Sequence, residues 1–342
     1  MLRPSTSCVL ALLTVTLAAL PAQTPQGSAP KLQAGDLGFT WTAFGLRPDG
    51  ADPGSTHGNL AVDRDGRIFF STDTENAINI FGRDGEQLAT WGAEFAGGAH
   101  GMTLVTGADG QQVLWIAHIG RHEVVQTTLE GKVLATIPWP QEAGIYQKQD
   151  EFKPTDVAIG PDGSIYVADG YGKSFVHQFD RERHYVRSWG GLGAEPGKFK
   201  TPHGITLDTR GKEPRLVVAD RENGRLQIFD LDGGLRGIVS GIFRRPCDTC
   251  VHPDGRHLAV ADLAGRVTIL DERNELVGQL GDQPDEKKRA TNQVQKDGWQ
   301  DGVFLSPHGA TFDRNGDLYV MDWNVVGRLT HLVATPVTGG GK

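Results

Sequence analysis

A short unit centred on histidine constrains this chain more than any other feature. Thr201-Pro202-His203-Gly204-Ile205-Thr206-Leu207-Asp208 returns as Ala99-His100-Gly101-Met102-Thr103-Leu104 and as Ser306-Pro307-His308-Gly309-Ala310-Thr311-Phe312-Asp313, at nearly equal separations. Weaker copies lie between them: Gly58-Asn59-Leu60-Ala61-Val62-Asp63, Thr155-Asp156-Val157-Ala158-Ile159 and Cys247-Asp248-Thr249-Cys250-Val251. The unit therefore occurs six times, and every second copy carries a histidine.

One grammar follows each copy. An Asp/Gly or Asn/Gly turn comes next (Arg64-Asp65-Gly66, Pro161-Asp162-Gly163, Pro253-Asp254-Gly255, Arg314-Asn315-Gly316), which is a hairpin signal. A β-branched and aromatic strand follows, such as Ile68-Phe69-Phe70, Ile165-Tyr166-Val167 or Leu318-Tyr319-Val320, then a third strand and a closing one ending in Trp-Gly or Leu-Gly. Four short strands every 40 to 50 residues or so make one blade of a β-propeller. Six copies predict an all-β, six-bladed propeller over residues 36–336. The sixth copy ends after its third strand, near Val333, while Phe39-Thr40-Trp41-Thr42-Ala43-Phe44-Gly45 reads as a closing strand without a blade. The N-terminal strand is thus expected to complete the last blade, which pairs an edge that would otherwise stay open.

Outside this repeat, residues 1–22 read as an export signal: Arg3, an apolar run from Val9 to Leu20, and a cleavage site at Leu20-Pro21-Ala22. Residues 23–35 read as a linker and 337–342 as a flexible tail. The protein is then expected to be secreted or periplasmic, with no membrane span after processing. A formal net charge of −8 gives no basic face for nucleic acid. Processing leaves Cys247 and Cys250, which an oxidising compartment would permit to pair. Two stretches interrupt the grammar, Pro138 to Lys153 and Gly281 to Leu305. Long inserts in a repeat protein often build a binding mouth, although the charged run Asp285 to Arg289 reads as a solvated loop.

The alternation has a chemical consequence. The first strand of each propeller blade lines the channel, and alternate blades of six stand roughly 120° apart. His100, His203 and His308 should therefore converge on the axis, as three imidazoles do in a catalytic zinc site with one open position. His57, one residue ahead of the aligned position, reads as a supporting or solvated residue. Asp156 and Asp248 could orient a ligand imidazole, bind a second cation or line the channel, and Cys247 could add a soft ligand.

Lys153-Pro154-Thr155-Asp156-Val157-Ala158, Val167-Ala168-Asp169-Gly170-Tyr171-Gly172 and Val218-Ala219-Asp220-Arg221-Glu222-Asn223-Gly224-Arg225-Leu226-Gln227 resemble the catalytic core of peptidyl-α-hydroxyglycine α-amidating lyase, within the wider NHL-repeat propellers. The resemblance covers most of the mature chain and is densest from Pro154 to Phe229. It implies a six-bladed propeller whose axial zinc is held by His100, His203 and His308, with Tyr171 as catalytic tyrosine and Arg221 as active-site arginine. It implies cleavage of the N–C bond of a C-terminal α-hydroxyglycine into an amide and glyoxylate, on a peptide or small-molecule substrate. The chain departs from the family at several places. Phe69-Phe70-Ser71-Thr72 stands where the family has an arginine, Ser306 replaces a methionine, and Gly309 replaces the aspartate used for structural calcium. The family's disulfide positions hold Phe152, Gly172, Val217 and Ile228. The alternatives to a metal-dependent carbon–nitrogen lyase are a non-catalytic binding module for a protein or glycan partner, and a calcium-dependent propeller hydrolase.

Overall fold

The structure is a computed structural model that describes residues 28–45 and 52–337. The expected export signal, the first five residues of the linker (23–27) and the last five residues of the tail lie outside the described residues. Six antiparallel sheets of consecutive strands follow one another along the chain. Their innermost strands are Thr56–Val62, Ala99–Thr106, Asp156–Ile159, Pro202–Asp208, Pro246–Val251 and Pro307–Phe312. Each touches the next, and the sixth touches the first. The ring has six blades and is closed.

The turns behave as their residues dictate. Gly66, Gly163, Gly255 and Gly316 all sit at φ between 68° and 87°, the left-handed region that glycine enters without steric cost. The second strands they launch, such as Ile68–Thr72 and Leu318–Asp322, are buried along their whole length. They are apolar on both faces because each blade is sandwiched between two others. Apolar clusters fill the seams: Tyr166 and Ala168 of blade three pack with Leu216, Val218 and Phe229 of blade four.

Leu37–Phe44 pairs with Arg328–Thr335 and so completes blade six, as the sequence predicts. The linker ends earlier than expected. Lys31–Ala34 forms a fifth strand on the outside of Leu37–Phe44, and Ala34 is buried against blade five. Trp41 anchors the closure, with its ring centroid 4.7 Å from that of Phe304. Truncating Trp41 to alanine should cost about 3–5 kcal/mol, the range for a buried large aromatic. A urea titration checks this, and an unchanged midpoint would mean the closure does not hold the ring.

The first insert contributes to the core. Tyr146 and Phe152 are buried between blades two and three, and the Tyr146 hydroxyl lies 2.6 Å from Asp169 and 2.7 Å from His177. In the second insert the charged run is an exposed 3-10 turn at Glu286–Lys288. Among the described residues no helix is long and apolar enough to cross a membrane.

Candidate metal centre

Five of the six innermost strands break register at the aligned position: at residues 57–59, His100, 203–204, Cys247 and His308. A bulge adds one unpaired residue and re-aims its side chain. Here it turns a residue that would face a blade seam toward the axis. The glycine after each histidine is obligatory, because a Cβ at Gly101 would lie 2.4 Å from Asp156 and one at Gly204 would lie 2.5 Å from the Cys247 carbonyl oxygen.

The structure brings His100, His203 and His308 together, with ring centroids 4.6 to 4.9 Å apart. All three are buried. Each Nδ1 lies against a backbone carbonyl of the next blade: His100 on Thr155 at 2.7 Å, His203 on Cys247 at 3.1 Å and His308 on Gly58 at 2.7 Å. A carbonyl oxygen can only accept, so each Nδ1 carries the proton and each Nε2 keeps a lone pair. The copies without histidine therefore supply the acceptors that fix the rings. Backbone carbonyls are well-known partners of metal-ligating histidines.

The Nε2 atoms of His100 and His308 are buried with no partner, whereas that of His203 accepts from the Tyr171 hydroxyl at 2.9 Å. Candidate ligand atoms of His57, His100 and His308 lie within 4.8 Å of one another, as do those of His203, Cys247 and His308. Orphaned imidazole nitrogens in a buried cluster are a donor set suited to a borderline-soft cation.

Burial is the largest cause holding all three histidines well below the usual imidazole pKa, with neighbouring imidazoles and Arg221 adding to it. Burial also holds His118 down to about 4 and His177 down to about 3. The sign follows directly. The unfolded chain takes up protons below the ordinary value near 6.5 while the folded chain does not, so stability is full above that pH and falls as the solution is acidified toward the folded pKa values. Each such group adds a slope of up to about 1.4 kcal/mol per pH unit. The buried carboxyls of Asp169 and Asp248, held up to about 6 and about 7, act in the opposite direction over the same window. The imidazole resonances of the chelator-treated protein are therefore the check: they should stay neutral between pH 6.5 and 5, and a midpoint near 6.5 would contradict neutral buried imidazoles.

Tyr171 and Arg221 complete one wall of the mouth. Asp169 anchors the loop that carries Tyr171 by accepting the Lys153 and Lys173 amides. Asp220 does the same before Arg221, accepting the Lys200 amide and pairing with Arg225 at 2.6 Å. Arg225, Arg266 and Arg328 all pair with the aspartate that ends the preceding strand. Arg221 instead donates to the Tyr171 oxygen at 3.3 Å and lies 2.9 Å from Glu222. It is free of the structural role its neighbours in the repeat perform. Burial pushes the Tyr171 phenol up, and the Arg221 charge opposes the shift.

His57 also belongs to the mouth. Its ring lies 5.0 Å from those of both His100 and His308 and 5.9 Å from Trp323. His57, His308 and Trp323, with Tyr171, Arg221, Arg245, Leu263 and Ala290, enclose a cavity of about 210 Å³. Ala290 comes from the second insert, but no residue of the first insert lines it.

Asp156 and Asp248 do not orient the imidazoles. Their carboxylates accept the Ile205 and Ala310 amides at 2.8 and 3.1 Å. They lie on the opposite side of the imidazole cluster, beside Asn59, where the channel widens to about 430 Å³. Burial pushes Asp248 up to about 7, and burial together with Asp248 raises Asp156 well above the usual carboxylate range. Cys247 and Cys250 are both free thiols. Burial pushes Cys247 up to about 12, against the pull of Arg221.

No family model matches the chain. NHL repeat-containing protein 3 of Mus musculus is 30% identical over 225 residues, covering 62% of this chain and 63% of that protein. The chain thus spans a little under two thirds of that relative. Peptidyl-α-hydroxyglycine α-amidating lyase 1 of Drosophila melanogaster is 31% identical over 150 residues, 41% of this chain and 26% of that protein. A solved structure of streptogramin B lyase superposes with a TM-score of 0.58 at 17% identity, covering 89% of this chain and 100% of that one. Its likeness speaks for the fold alone. The chain is a six-bladed β-propeller with relatives among NHL repeat-containing proteins and amidating lyases.

Proposed function

We propose that this protein is an exported, zinc-dependent lyase of the amidating type, which splits a carbinolamide into an amide and glyoxylate. The observation that carries the reading is the buried imidazole trio, with two Nε2 lone pairs unpartnered and the third bonded to Tyr171. His100, His203 and His308 would hold the ion, His203 by exchanging its hydrogen bond from Tyr171 for the metal, since its Nε2 has one lone pair. The donor set favours zinc over calcium, which prefers oxygen ligands. When bound, zinc would polarise the substrate hydroxyl and lower its pKa.

The chain's own groups handle the remaining steps. The hydroxyl proton leaves, its electron pair forms the aldehyde carbonyl, the C–N bond breaks and the amide nitrogen takes a proton. Tyr171 sits beside the imidazoles, where its oxygen can take the first proton and deliver it to the departing nitrogen. Arg221, donating to that oxygen, stabilises the phenolate this requires. Leu263, Ala290 and Trp323 around the mouth limit water.

The test is direct. Zinc-loaded protein is incubated with an N-acyl-α-hydroxyglycine and glyoxylate is measured; release no faster than in buffer removes the reading. The long match to an NHL repeat-containing protein favours a second reading, a binding module for a protein or glycan. Under that reading, replacing all three histidines together leaves partner capture intact.

A further inference from the structure

The mouth carries more positive charge than its own carboxylate can balance. Arg221 and Arg245 approach from neighbouring blade junctions, and both turn to one acceptor, Glu222: Arg221 Nε at 2.9 Å and Arg245 Nη2 at 2.5 Å from the same Oε1. The other acidic residue near Arg245 is already committed. Asp262 accepts the Arg244 and Arg245 amides, both at 2.7 Å, and pairs with Arg266 at 3.3 Å. Two guanidiniums sharing one carboxylate leave one positive charge over.

Arg245 has an unmet donor as well. Its Nε is buried and has no hydrogen-bond partner, although the residue lines the cavity beside Tyr171 and His308. A buried N–H without an acceptor costs about 1–3 kcal/mol, so a conformation that keeps one is accounted for if an acceptor arrives with the ligand. The backbone supports this placement. The Asp262 carboxylate pins the Arg245 amide, and the Arg245 carbonyl accepts the Leu263 amide at 2.9 Å. The guanidinium is therefore held at the rim.

We propose that Arg245, acting with Arg221, binds the free carboxylate on the reacting carbon of the substrate and so determines specificity for amides that end in a carboxylate. The proposal rests on the lyase reading. A carboxylate offers two oxygens to guanidinium N–H groups, the pairing for which a planar fork is suited. Seated there, it would lie across the mouth from His57. Leu263, Ala290 and Trp323 are left to face the acyl side.

Titration calorimetry of the zinc-loaded protein tests this with two unreactive probes, N-benzoylglycine and N-benzoylglycinamide, which differ only in the carboxylate. The wild type should bind the carboxylate at least about tenfold more tightly than the amide, the scale of one charge-assisted pair. Arg245→Gln should bring the two probes to within about threefold of each other, and Arg245→Lys, which keeps the charge but not the fork, should fall between. Thermal unfolding confirms that the variants are folded, and the lysine variant serves if the glutamine one is not. Equal binding of both probes by the wild type, or a wild-type ratio retained in Arg245→Gln, overturns the proposal. Glyoxylate release, measured on the same preparations, separates it from the reading beneath it. Release with an unchanged probe ratio in Arg245→Gln removes the role of Arg245 and leaves the lyase. Collapse of the ratio without any release keeps the carboxylate subsite and removes the lyase.

Discussion

If the trio holds the proposed zinc, His203→Ala should bring glyoxylate release from an N-acyl-α-hydroxyglycine down to the rate in buffer and lose the ion with it. His203 is the member of the trio with most connections. Its Nδ1 is bonded to the Cys247 carbonyl and its Nε2 to Tyr171, and its ring touches those of both other histidines. Removing it deletes a ligand and releases the tyrosine. Loss of a partner that merely supports a ligand lowers metal affinity by about 10–100-fold, so loss of the ligand should exceed that. Zinc analysis after dialysis measures the first effect and a glyoxylate assay the second. The apolar clusters at the seams do not include His203, so the variant should still fold. A variant that keeps both zinc and turnover would show that the trio is not the centre of the reaction.

Tyr171→Phe should lower kcat by about 10²–10⁴-fold, the usual contribution of a positioned proton carrier, while zinc content stays at the wild-type level. Only the hydroxyl is removed, and its two bonds are to His203 and Arg221, so the ring still packs against the mouth. A loss of only a fewfold would take the proton transfer away from Tyr171 and point to His57, whose ring lies 5.0 Å from those of His100 and His308. The split between unchanged zinc and reduced kcat distinguishes a residue that moves protons from one that builds the site.

The parts of this molecule written in repeating side chains could be read from the sequence. The Asp-Gly turns gave the hairpins, the β-branched second strands gave the blade interiors, and three histidines at matching positions gave the axial cluster. What could not be read depends on the backbone or on residues that occur once. The acceptors that orient the imidazoles are carbonyls of Gly58, Thr155 and Cys247, whose side chains carry no hint of that role. His57 lies one position out of step and reaches the mouth because the register break in its strand runs from Thr56 to Leu60. Arg245 and Trp323 occupy junction positions that recur in the repeat, matching Thr201 and Ser306 in the one case and Arg221 and Leu263 in the other, but the residue type changes from blade to blade and so carries no repeating signal. Lys31–Ala34 pairs as an edge strand although its composition continues that of the linker. For Asp156 and Asp248 the sequence left open orienting an imidazole, binding a second cation or lining the channel, and the carboxylates line the channel and bond amides of the following blade.

The seam between blades six and one has an effect on when the centre can exist. His308 is oriented by Gly58, so its bond joins a residue made late in synthesis to one made early. Until the final hairpin has emerged and the waiting first strand has been stitched to it, two imidazoles can be aligned but the third cannot. Under the proposed metal reading, capture of the ion would therefore report that the circle has shut, and a chain cut or stalled before the hairpin of Leu318–Asp322 and Arg328–Thr335 would carry five blades yet hold no cation.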